Sequence, residues 1–301
     1  YERIVITGCQ GLLGQKLCQL LCPENEVIGL DVSPHTHLRA ATFTYIPQDI
    51  TKRDELLKTI AAVKPGFIVN TAALTDVDRC EEDKDLCWRV NVLGVENLIR
   101  AAKRVHAHLI QISSDYVFDG TNAPYRETDA VNPIGFYGKS KLAAENVLRG
   151  EDVTHVIVRT QVLYGVAPQV RPNFVHFVVN RLQTPGEILI VDDQRGNPTL
   201  ADDLARAIAR VIQLRKKGIY HIAGRESLSR FEFARKIAQQ FEEDPERIKP
   251  IKTLYLQQKA PRPQDSTFIL EKCIKELMFL PRDADAGLVE FHHQWQQLSK
   301  V

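Results

Sequence analysis

Along the first half of the chain, short apolar runs alternate with longer stretches in which apolar side chains recur every three or four positions. The short runs read as buried strands, and the 3.6-residue period reads as helices that lay one face on them. The expected strands are Arg3–Thr7, Glu26–Leu30, Phe67–Asn70, Ala107–Ile112 and Val153–Arg159, and the expected helices Leu12–Cys22, Lys52–Val63, Asp85–Val105 and Gly138–Arg149. Strand and helix in strict alternation call for parallel strands joined by crossovers, so the fold class is α/β with a doubly wound parallel sheet. Beyond Gln161 the alternation loosens, and Pro168, Pro172, Pro185 and Pro198 punctuate the chain. Leu200–Leu214 still reads as an amphipathic helix and Ile219–Ile222 as a strand that returns to the sheet. A larger domain over residues 1–165, completed by about 190–224, is therefore expected beside a smaller C-terminal lobe over 166–189 and 225–301.

Composition narrows the class without naming a function. The chain has 301 residues, 44% of them hydrophobic and 26% charged, and a net charge of +1, which excludes collagen-like, disulfide-scaffold and disordered readings. With no basic stripe to follow a phosphate backbone, no nucleic acid is expected as a partner. No apolar run approaches the roughly 18 residues of a membrane span, so no membrane association is expected and the location is read as cytoplasmic. The six cysteines contain no C-x-x-C pair and read as small buried hydrophobes. His292 and His293 are adjacent and point to different faces of a helix, so no metal site is expected.

The candidate chemistry begins in the first strand-to-helix turn, where Gly8, Gly11 and Gly14 stand in T-G-C-Q-G-L-L-G. Glycines there let the backbone approach a pyrophosphate closely, and the free N–H groups of the following helix point at it. Asp31 closes the second expected strand, 17 residues after Gly14, near the position from which a carboxylate accepts the hydroxyls of an adenosine ribose. This reads as a Rossmann-type NAD(P)-binding domain. A carboxylate at Asp31 repels a 2′-phosphate, so NADH is the expected cofactor, while nearby His35, His37 and Arg39 leave NADPH open.

Tyr137 and Lys141 lie four residues apart at the start of a helix, so their side chains share one face. A phenol is a poor acid near neutral pH, and a neighbouring ammonium lowers its pKa, which makes the pair a candidate proton donor and tuner. Ser114, in Ser113-Ser114-Asp115 at the end of a strand, falls on the ligand-binding edge of a parallel sheet and can hydrogen-bond a carbonyl. The alternative for Ser114 and Asp115 is a turn cap.

Taken together, these motifs resemble the extended short-chain dehydrogenases/reductases, and within them the dTDP-4-dehydrorhamnose reductase family, over almost the whole chain. The specific blocks are S-S-D-Y-V-F-D-G at Ser113–Gly120 and D-D-Q-x-G-N-P-T at Asp192–Thr199, supported by N-T-A-A at Asn70–Ala73, V-D-x-C-E at Val77–Glu81 and R-P at Arg262-Pro263. The resemblance implies NAD(P)H-dependent reduction of the C4 keto group of a nucleotide-linked deoxysugar, with dTDP-4-dehydro-L-rhamnose to dTDP-L-rhamnose as the expected reaction. It implies a Ser114, Tyr137, Lys141 triad. Cofactor contacts are expected from Gly11, Leu12 and Leu13 at the pyrophosphate, Asp31 and Val32 at the ribose, Asp49 and Ile50 at the adenine, and Ala72, Ala73 and Leu74 towards the nicotinamide. Asp115 and Tyr116 are expected near the sugar and Asn173 and Arg262 near the nucleotide end, with Asn91 close to Lys141. A homodimer is compatible with the resemblance.

The chain departs from the family pattern in two places. Val162 stands where the family often has a tryptophan, which leaves the sugar open, and Lys16 stands where some members place a metal-binding glutamate at a dimer contact. S-S-D-Y-V-F-D-G-T-N-x-P-Y-R-E is also similar to the regulatory beta subunit of methionine adenosyltransferase. The alternatives are therefore a cofactor-binding regulatory subunit and a 4-ketoreductase or epimerase acting on another nucleotide sugar.

Overall fold

The computed structural model describes residues 1–298, so the last three residues of the expected C-terminal lobe lie outside the described residues. In chain order the elements are β1 (Arg3–Thr7), α1 (Leu12–Leu21), β2 (Glu26–Asp31), β3 (Phe43–Pro47), α2 (Arg53–Val63), β4 (Phe67–Asn70), α3 (Val77–Glu82), α4 (Lys84–Trp88), α5 (Gly94–Val105), β5 (His108–Ser114), α6 (Phe136–Arg149) and β6 (His155–Thr160). They continue with β7 (Leu163–Tyr164), α7 (Phe174–Leu182), β8 (Ile188–Val191), β9 (Arg195–Gly196), β10 (Thr199–Leu200), α8 (Ala201–Gln213), β11 (Gly218–His221), β12 (Leu228–Ser229), α9 (Arg230–Gln240), β13 (Ile248–Ile251), α10 (Glu271–Leu277) and α11 (Ala284–Leu298).

The central sheet has seven strands in the order β11-β6-β5-β4-β1-β2-β3. Every pairing within it is parallel. Helices on both faces bury the near-continuous apolar strands. On one side Leu13, Leu17 and Leu21 of α1 meet Leu204, Ile208 and Val211 of α8. On the other, Leu56 and Ile60 of α2, Leu98 and Ile99 of α5, and Leu148 of α6 pack together. A separate apolar cluster joins α7, β8, α9, β13 and α11 through Val178, Ile190, Phe233, Ile248 and Leu288. Among the described residues no helix is long and apolar enough to cross a membrane.

Parallel strands put all their C-terminal ends on one edge, so Thr7, Asn70, Ser114 and Thr160 end in a common crevice. The chain winds outward from β1 towards β3 and from β4 towards β11, and the crevice opens between the two directions, where ligands of such sheets bind.

Two of the differences from the sequence pattern have a plain local cause. The edge strand β3 escapes the apolar pattern because F-T-Y-I-P is only partly buried and ends in proline. The helix expected over Asp85–Val105 is instead α4, a π-helical turn over Arg89–Leu93, and α5. The break has a local cause in Asn91. Its side chain accepts from Leu74 N at 2.8 Å and donates to Leu74 O at 3.0 Å and to Ser140 Oγ at 3.0 Å, pinning the turn to both neighbouring segments.

Candidate active site

Gly8 has φ +66, and a Cβ there would stand 2.7 Å from Ala72 N, so the turn is closed against the segment after β4. At Gly14 a Cβ would stand 2.3 Å from the Gly8 carbonyl oxygen, which fixes how tightly α1 follows the loop. Gly11 caps α1 without a side-chain hydrogen bond, leaving first-turn N–H groups to face the crevice. A cavity of about 740 Å³ runs from there past Asp31, Val32, Asp49, Ile50 and Ala72–Leu74. Asp31 accepts from Gln10 N at 3.0 Å and from Val32 N at 2.8 Å, and Val32 itself stands 72% exposed on the rim. A glycine cradle, an uncapped helix end and a rim carboxylate fit a dinucleotide. Sequence reasoning missed Gln48, Leu86, Arg89 and Val90, which line the same cavity from segments far from the glycine turn.

A second cavity of about 620 Å³ shares Gly11, Ala72 and Ala73 with the first and reaches Ser114, Tyr137 and Lys141. Helix α6 begins at Phe136, two residues earlier than the periodicity suggests, which places Tyr137 within its first turn. The Tyr137 ring packs edge-on against Tyr116, with centroids 5.5 Å apart and planes at 78°. Burial, and then the charge of Asp115, push the Tyr137 phenol above its ordinary value, while the Ser114 hydroxyl acts the other way. Lys141 Nζ donates to the Ile112 carbonyl at 2.7 Å, and burial lowers its pKa to about 8 against the opposing charge of Glu145.

Asp115 is buried, accepts from Ser114 Oγ at 3.0 Å and from Ser266 Oγ at 2.6 Å, and burial pushes its carboxyl up. Ser114 also accepts from Tyr116 N at 3.2 Å, which is the turn-capping arrangement. Thr160 Oγ1, buried at the end of β6 in this cavity, has no hydrogen-bond partner and went unnoticed in the sequence.

Asn173 and Arg262 line the cavity but already have partners. Asn173 caps α7, accepting from Val175 N at 3.1 Å and donating to Gly165 O at 2.8 Å. Arg262 forks onto Asp78 at 3.1 and 2.9 Å and thereby holds the Asp78 carboxyl below the usual range. Val162 adopts φ +47, a costly conformation for a β-branched residue. Lys16 is buried and bridges Asp202 at 3.2 Å and Gln294 at 2.8 Å, tying α1 to α8 and α11. Among the described residues no group of three or more His, Cys, Asp or Glu could hold a metal ion. The six cysteines are buried and form no disulfide.

Comparison with known proteins bears on the whole chain. A dTDP-4-dehydrorhamnose reductase of Aggregatibacter actinomycetemcomitans is 32% identical over 300 residues, covering 95% of this chain and 97% of the relative. Methionine adenosyltransferase 2 subunit beta of Bos taurus is 31% identical, covering 83% and 75%. The solved structure of a dTDP-4-dehydrorhamnose reductase from Bacillus anthracis in complex with NADP superposes with a TM-score of 0.87 at 32% identity, covering 97% of this chain and 99% of that one. The family described as the RmlD substrate binding domain matches residues 2–297, and with that match spanning sheet, crevice and small helical cluster alike, the chain belongs to this family.

Proposed function

We propose that the protein is a nicotinamide-dependent reductase acting on the C4 keto group of a nucleotide-linked deoxysugar, with dTDP-4-dehydro-L-rhamnose as substrate and dTDP-L-rhamnose as product. The observation that carries this is the convergence of Ser114, Tyr137 and Lys141 in the cavity that continues from the glycine turn. The α1 N–H groups at Leu12, Leu13 and Gly14 hold the pyrophosphate, Asp31 and Val32 the adenosine ribose, Asp49 and Ile50 the adenine, and Ala72–Leu74 the stretch towards the nicotinamide. NADH is the preferred form, because Asp31 opposes a 2′-phosphate. When bound, the reduced cofactor supplies hydride to the carbonyl carbon.

Tyr137 donates the proton to the developing alkoxide, and Ser114 hydrogen-bonds the same oxygen. Lys141, once drawn from Ile112 to a ribose hydroxyl, brings its charge towards Tyr137 and eases loss of the phenolic proton. Asp115 and Tyr116 flank the sugar. The cluster around Phe233 and Leu288 belongs to a smaller lobe that carries the nucleotide end, with Asn173 and Arg262 on its side of the crevice.

The test is loss of NADH absorbance when dTDP-4-dehydro-L-rhamnose is generated in the same tube, with wild type beside Tyr137→Phe. Oxidation by wild type alone supports the reductase. The 31% identity to a methionine adenosyltransferase beta subunit favours a second, regulatory reading, and cofactor binding without turnover in this assay would select it.

A further inference from the structure

We propose that Arg230 grips the diphosphate of the substrate, a role that rests on the nucleotide-sugar reading above. Arg230 opens helix α9, and its guanidinium lies 5.4 Å from the centroid of the Phe174 ring. Among the described residues it has no hydrogen-bonding or ion-pairing side-chain contact, although it is partly buried. The neighbouring arginines are all committed: Arg195 to Glu232 at 2.7 Å, Arg171 to Asp76 at 2.8 Å and Arg262 to Asp78. A guanidinium carries five N–H donors that want acceptors, so one left idle beside a ligand cavity is reserved for something absent from the free chain.

The surroundings say what that is. Arg230 lines a small enclosed space of about 20 Å³ that shares Asp115, Tyr116 and Val162 with the large crevice. Such a space holds about one water, so it admits an oxygen or two and not a ring. Arg230 is within electrostatic reach of Tyr116 and Asp115, and then of the like charge of Arg262. Asp115, the nearest carboxyl, already accepts from Ser114 and Ser266 and is pushed towards its neutral form. The charged group without a hydrogen-bonding or ion-pairing side chain of its own is the Arg230 guanidinium. A sugar hydroxyl would leave its charge standing, whereas phosphate oxygens neutralise it and match the planar fork of the guanidinium.

Titration calorimetry of wild type, Arg230→Gln and Arg230→Lys decides the matter, using dTDP, dTDP-L-rhamnose, thymidine and inorganic pyrophosphate as ligands and NADH binding as the check on folding. The expected result is about 10- to 100-fold weaker binding of dTDP and of pyrophosphate to Arg230→Gln. Partial recovery in Arg230→Lys, with thymidine and NADH unaffected, completes the signature. Equal dTDP affinity in wild type and Arg230→Gln overturns the proposal, as does weakening seen only with dTDP-L-rhamnose and not with dTDP, which would assign Arg230 to the sugar. If wild type binds pyrophosphate through Arg230 but shows no preference for dTDP, the anion grip stands and the nucleotide reading fails. If wild type binds neither, the grip fails as well.

Discussion

Lys141 donates to the carbonyl oxygen of Ile112 at 2.7 Å, one helical turn from Tyr137, and not to the phenol whose ionisation it was expected to promote. The lysine is held at the end of β5 while burial keeps the Tyr137 proton in place. Shared helix face and shared chemistry are thus separate facts. The face is built into α6, and the proposed chemistry requires something in the crevice to draw Lys141 off the strand.

Removing the Tyr137 hydroxyl removes the proposed proton donor and leaves the ring packed against Tyr116. Tyr137→Phe is expected to lower kcat by about 10² to 10⁴, with NADH affinity unchanged, in steady-state assays beside fluorescence titration. Unchanged turnover removes Tyr137 from the mechanism.

Burial lowers Lys141 to about 8 from an ordinary value of 10.5, so between these limits the unfolded chain binds more protons than the folded one. Stability from this group therefore rises with pH across roughly 8 to 10.5, and is absent below the lower limit. Urea unfolding of wild type against Lys141→Met isolates the effect, because the buried tyrosines that titrate in the opposite sense are common to both. The difference is expected to shift in favour of wild type by on the order of 3 kcal/mol over this window. A flat difference means that Lys141 is not desolvated.

The parts of the site legible in the sequence are those made of near neighbours. Gly8, Gly11 and Gly14 belong to one turn, Tyr137 and Lys141 to one helix face, and Ser114 to one strand end, so spacing alone brings each set together. The parts that were hidden depend on partners distant in sequence. Arg262 meets Asp78 across 184 positions and Ser266 meets Asp115 across 151, and no local pattern announces either pairing. Asn91 is marked near Lys141 only by the resemblance, and its bonds to Leu74 and Ser140 are beyond any local spacing, as is the lack of a side-chain partner at Arg230.

In the proposed binding mode the Asp31 carboxylate, which already accepts from Gln10 N and Val32 N, turns its remaining lone pairs to the adenosine ribose and opposes a 2′-phosphate. Asp31→Ser is expected to shift the ratio of kcat/KM for NADPH over NADH upward by about tenfold, the equivalent of roughly 1.4 kcal/mol. The shift is expected in KM more than in kcat, since the carboxylate is far from the nicotinamide end. An unchanged ratio places cofactor choice elsewhere, with His35, His37 and Arg39 as the residues to change next.

Glu145 and Arg159 make the most deeply buried ion pair of the described residues, with Arg159 Nε to Oε1 at 2.9 Å and Nη2 to Oε2 at 2.7 Å. Ser113 Oγ also donates to Glu145 at 2.6 Å, and the guanidinium carbon stands 5.2 Å from the Phe118 ring centroid. Their mutual attraction offsets a large desolvation cost, so the pair adds little net stability while either partner alone is costly. Glu145→Ala is expected to destabilise by about 3 to 5 kcal/mol in urea unfolding, because Arg159 is left charged and unpaired in the core. Adding Arg159→Met should recover much of that loss, since the combined change removes both charges. The catalytic consequence separates from the structural one. Glu145 is one turn beyond Lys141 and its charge opposes the lowering of the lysine's pKa, so the double variant is expected to fold yet titrate Lys141 below its wild-type value of about 8. An unaltered alkaline limb in the kcat profile of the double variant would show that Glu145 serves the core alone.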